Sequence, residues 1–103
     1  MKPLVIPPAA QRDENSVQML SAWIAERGLH CTLNIGFFEA AGHTEPKAWG
    51  ILLADLVRHI GNAVAEENGT PANETVSAVF AAIHSELDLP TSSAVGEFHV
   101  GHA

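Results

Sequence analysis

A chain of 103 residues suits one small domain that buries roughly 60–70% of its unfolded surface, enough for one core without surplus. Its residues are 47% hydrophobic and only 17% charged, and five Lys and Arg against twelve Asp and Glu leave a net charge of −7. All five basic residues precede His59, and the six carboxylates beyond it would repel phosphate, which excludes DNA, RNA and anionic membranes as natural partners.

The first twelve residues hold Pro3, Pro7 and Pro8. Leu4-Val5-Ile6 is expected as a short edge strand, stopped by the double proline. Asp13 to Asn15 offer an N-cap. Val17, Met19, Leu20, Trp23 and Ile24 then form a helical stripe to about Arg27, with Gly28 as its left-handed terminator.

Leu29 to Phe37 alternate between apolar residues (Leu29, Cys31, Leu33, Ile35, Phe37) and His30, Thr32, Asn34 and Gly36. Period two predicts a half-buried strand. With helix predicted on either side, this strand lacks an obvious partner. Its backbone groups must still be hydrogen-bonded. A terminal segment, a second copy of the chain, or both must supply the pairing.

Phe38 to Thr44 read as a loop. Pro46 suits the first turn of a long second helix running to about Glu67. Trp49, Leu52, Leu53, Leu56, Ile60 and Val64 form its broad apolar stripe. Gly50, Ala54, Gly61 and Ala65 run beside that stripe. A mid-helix glycine costs about 1 kcal/mol against alanine, so close approach of another helix is expected there. A third helix starts near Thr70-Pro71 or Asn73, carries Val76, Val79, Phe80, Ile83 and Leu87, and ends at Leu89-Pro90. Val95 to Val100 are expected as a final strand.

These elements predict a two-layer α+β domain spanning residues 1–103. Three helices would pack on a small sheet of two or three strands, with extended terminal segments at 1–12 and 91–103. Sheets this small are marginal alone, and dimerisation would extend the sheet.

The chemistry-bearing residues are sparse. Asp55 and His59, four apart on the second helix, share a surface, with Arg58 and Asn62 beside them. An Asp that orients a His is part of a general base, yet no nucleophile accompanies the pair. A surface ion pair or interface contact is the plainer reading. His99 and His102, with Glu97, are the only hint of a metal site, and a closed site needs three or four converging ligands. Cys31 is the sole cysteine, so no internal disulfide forms. Its neighbour His30 points to the opposite strand face and cannot activate it. No sequence feature calls for a cofactor.

Leu4 to Ala10, Val17 to Leu20 with Trp23, and Ala48-Trp49-Gly50 leading to Asp55 to His59 resemble a family of small, uncharacterised bacterial proteins, mainly alphaproteobacterial, under a domain-of-unknown-function label. The resemblance spans nearly the whole chain. It implies a bacterial cytoplasmic protein and carries no activity, cofactor or catalytic residue. The apolar run at the start is too short for a secretory signal, and no run reaches the roughly 20 residues of a spanning helix. The expected function is therefore a non-enzymatic, self-associating protein, a dimer, that binds a protein or small-molecule partner. The competing expectation is a small acid–base enzyme with His59 as base and Asp55 as orienter, in a cleft completed by a second subunit.

Overall fold

The computed structural model describes residues 1–100, in the order α1 (Pro8–Arg12), β1 (Leu20–Ala25), β2 (Gly28–Ile35), α2 (Phe37–Ala40), α3 (Glu45–Asn68), α4 (Ala72–Asp88) and β3 (Ala94–Val100). It is an α+β fold with a mixed three-stranded sheet. Two compact units are present. Met1–Gly42 and the described residues of 94–100 form a sheet unit, and His43–Ser93 form a helical unit.

In the sheet unit, β2 is central and the order is β1-β2-β3. The β1–β2 pairing is antiparallel, with Leu20 opposite Leu33 and Ala25 opposite Gly28. The β2–β3 pairing is parallel, with Leu29 opposite Ala94 and Ile35 opposite Val100. Both edges of β2 are thus satisfied within one chain. The terminal segment supplies one, as expected. The other comes from residues that the sequence pattern placed in a helix.

That helix over Val17–Arg27 is corrected to strand β1. Leu20 and Ile24 satisfy helical spacing, but Leu20, Ala22 and Ile24 also alternate, and a six-residue strand fits both patterns. The turn hid the hairpin. Glu26 and Arg27 both have positive φ, 50° and 66°, the mirror-image turn that matches strand twist. Asn-Gly is its usual signature, and Glu-Arg gives no such cue. Asp13–Asn15 therefore caps no helix.

Two smaller expectations also change. Leu4-Val5-Ile6 joins no strand. Instead Pro8, whose missing N–H costs nothing in a first turn, starts α1, and the Gln11 side chain donates to the Ile6 carbonyl at 2.9 Å. Phe37 leaves the strand, because Gly36 at φ 96° turns the chain into the four-residue α2 within the expected loop.

The helical unit is an antiparallel hairpin of α3 and α4. Gly69, in the left-handed conformation at φ 80°, ends α3, and its N–H donates to the Ala65 carbonyl. Gly61 is buried against α4. A Cβ built there would stand 2.9 Å from Val76 Cγ2 and 3.0 Å from the Ala72 carbonyl oxygen. Close helix approach therefore occurs at Gly61, whereas Gly50 has nothing within 4 Å and Ala54 is exposed, so only the C-terminal part of the small-residue side meets α4.

Part of the large apolar stripe stays open. Trp49, Leu52, Val57, Val64, Val76 and Val79 are half-buried, while Leu53, Leu56, Ile60, Ile83 and Leu87 are exposed, as is Phe80 at 66%. The sheet behaves alike. Its apolar face carries Leu20 and Ile24 on β1, Leu29, Cys31, Leu33 and Ile35 on β2, and Phe98 and Val100 on β3. Ile24, Phe98 and Val100 on that face are exposed. Among the described residues no hydrophobic side chain is fully buried. No helix among them is long and apolar enough to cross a membrane.

Candidate functional site

The other sheet face is polar. Strand alternation and the register place Ser21, Thr32 and Glu97 in one row across the three strands. Trp23, His30 and Val95 form the next row, and Asn34 pairs with His99 beyond them. An open cleft of about 380 Å³ lies in this unit, lined by Gln18, Leu20, Ser21, Thr32, Leu33, Asn34 and His99, so it takes in residues of both sheet faces. No Lys, Arg, Asp or Glu lines it.

Asn34 is the anomaly of the cleft. It is 7% exposed, the most buried polar residue described. Its backbone N–H donates to the Met19 carbonyl at 2.9 Å, continuing the β1–β2 ladder. Its side-chain Oδ1 is buried without a hydrogen-bond partner. Leaving a buried acceptor unmatched costs about 1–3 kcal/mol. Asparagine is also poorly suited to a strand interior. Ser21 is already half engaged, because Trp23 Nε1 donates to its Oγ at 2.8 Å. The Ser21 hydroxyl proton remains free to be donated elsewhere.

The sequence-derived candidates lie apart from this cleft. Asp55, Arg58, His59 and Asn62 occur along α3, and all four are exposed. Asp55 forms an ion pair with Arg58, one turn away. With about 3.6 residues per turn, these residues occupy the arc roughly opposite Leu53, Leu56 and Ile60. His99 belongs to β3, extended and paired, with Glu97 on the same face. His102 lies outside the described residues. Among the described residues no group of three or more His, Cys, Asp or Glu is placed to hold a metal ion.

Alternation passed over Asn34 because it occupied an ordinary intervening position. Its one sequence signal was a poor β-former inside a strongly β-patterned run. His99 is 65 positions away in sequence, and only the parallel β2–β3 pairing makes them neighbours.

Comparison with solved structures finds a chain from the photosynthetic bacterium Rhodopseudomonas palustrus CGA009, provisionally described as a pyruvate dehydrogenase. The two share 26% identity, a TM-score of 0.68 and 92% coverage of each chain. No curated protein matches the sequence. Residues 3–91 match a single family across most of the chain, and on that ground the protein belongs to the family described as a domain of unknown function, DUF5076.

Proposed function

We propose that this protein is a self-associating binding protein, in which a second copy covers apolar surface that one copy leaves open. The observation that carries this is the absence of any fully buried hydrophobic side chain among the described residues. Burial of apolar surface is the main favourable term in folding, and a domain needs it to offset chain entropy. The α3–α4 hairpin packs Gly61 against Ala72 and Val76 and leaves Leu53, Leu56, Ile60 and Phe80 exposed for a partner. β1 and β3 also have one unpaired edge each, where a second sheet could add.

A binding role fits the α3 residues better than acid–base chemistry does. Asp55 is engaged by Arg58, and His59 stands exposed on the arc away from the apolar stripe. The dehydrogenase description of the structural relative is not carried over, because a shared fold hosts unrelated activities. A cytoplasmic setting is part of the proposal, in keeping with an unpaired Cys31.

Analytical ultracentrifugation over a micromolar dilution series tests the reading. A dimer is expected, and charging the stripe with Leu56→Glu and Ile60→Glu should dissociate it. A clean monomer at every concentration overturns the proposal.

A further inference from the structure

We infer that Leu4-Val5-Ile6 of one copy adds as an edge strand to β3 of a second copy, along the flank of β3 that faces away from β2. This rests on the self-association proposed above and names a segment that makes it. The three residues are consecutive, apolar and in solvent, Leu4 at 94%, Val5 at 89% and Ile6 at 61% exposure. Their backbone N–H groups meet no acceptor among the described residues. Within one copy they join no strand.

The segment is already shaped for pairing. A residue ahead of proline is pushed toward extended backbone, which holds Lys2 before Pro3 and Ile6 before Pro7. Pro7 itself is extended, at φ −55° and ψ 141°. Gln11 Nε2 donates to the Ile6 carbonyl at 2.9 Å and ties the base of the segment to α1. Little ordering therefore remains to oppose pairing. Pro3, Pro7 and Pro8 carry no N–H, so the added strand stops after three residues and resists recruiting another beyond it.

Exposure and charge select β3 over β1 as the receiving edge. All seven residues of β3 are exposed, whereas β1 is half-buried at Leu20 and Ser21. Lys2 is the one charged residue before Arg12. β3 holds a carboxylate, Glu97, and β1 holds no charge. Neither Lys2 nor Glu97 has an ion-pair partner among the described residues. A two-fold axis would let each copy give its segment and receive the other's.

The experiment is isotope-filtered NMR on the full chain, mixed from labelled and unlabelled copies. Cross-copy NOEs are expected between residues 4–6 and residues 94–100. Val5→Pro removes the central ladder donor at an exposed position and should weaken the dimer about tenfold or more in sedimentation. Lys2→Glu and Glu97→Lys should each weaken it about two- to fivefold, and together they should restore it.

A dimer without cross-copy NOEs from residues 4–6 to β3, with those NOEs on β1 or within one copy instead, or with unchanged affinity in Val5→Pro, overturns this inference and leaves self-association standing. A double charge reversal that fails to restore the dimer overturns the pairing with β3. A monomer at every concentration overturns both proposals.

Discussion

Gly96 faces Cys31 in the β2–β3 register, and it is the point where β3 can be detached with one methyl group. Its φ of 147° belongs to a region that residues with a Cβ rarely enter. A Cβ built there overlaps the Cys31 carbonyl oxygen and stands 2.8 Å from the Cys31 amide nitrogen. Gly96→Ala therefore meets two costs. Holding the native φ costs about 1–3 kcal/mol. The overlap with Cys31 must also be relieved by moving β3 off β2, which forfeits the flanking ladder bonds, each worth about 1 kcal/mol net, and two are lost at minimum. The sum is about 3–5 kcal/mol, a large part of the ~5–15 kcal/mol that holds a typical domain together. Urea denaturation would read the total. Amide hydrogen exchange would locate it, with protection lost along β3 and retained in α3 and α4. A variant within about 0.5 kcal/mol of the parent, as for an ordinary surface change, refutes the reasoning.

Other substitutions probe the remaining elements. Gly50→Ala and Gly61→Ala are the same change on one helix with opposite expected signs. The first gains up to about 1 kcal/mol of helix propensity in open space, and the second loses about 1 kcal/mol net, as crowding against Ala72 and Val76 outweighs that gain; thermal melts that rank them the other way refute the α3–α4 geometry. Arg27→Gly should stabilise the hairpin by about 0.5–1 kcal/mol, the relief of a left-handed arginine less the entropy cost of glycine, with urea midpoints as the measure. Glu86 accepts hydrogen bonds from the Thr91 hydroxyl and, at 2.7 Å, the Thr91 amide, and these hold its carboxyl below the ordinary range. A lowered carboxylate value means that the stabilisation is present above the unfolded value and is lost as pH falls through the folded one. Thr91 amide protection should accordingly persist at neutral pH and fade in acid, and Thr91→Val should move the Glu86 midpoint, read by carboxyl NMR, back toward normal; an unmoved midpoint would refute the contact.

The helical unit was readable because long periodic segments carry redundant signals. Pro46, the stripe from Trp49 to Val64, and Asn68-Gly69 each mark α3 independently, and Leu89-Pro90 marks the end of α4. The first hairpin had no such redundancy. Six residues of β1 satisfied two periods at once, and a Glu-Arg turn in the left-handed region carries no compositional mark. Asn34 shows the same limit for the site. As one residue in a strand it was unremarkable, and it became a candidate only when its side-chain oxygen was found buried and unmatched.

From the order of its residues alone, this chain specifies the central strand, both long helices, the closing strand and the demand that β2 find hydrogen-bond partners, since periodicity and backbone valence are local properties. Which segments answer that demand was decided by tertiary structure, because pairing depends on turn conformation and on contacts across dozens of residues. The same long-range folding turns Gly61 toward α4, leaves Leu53, Leu56, Ile60 and Phe80 exposed, and brings Asn34 beside His99, none of which a local pattern can encode.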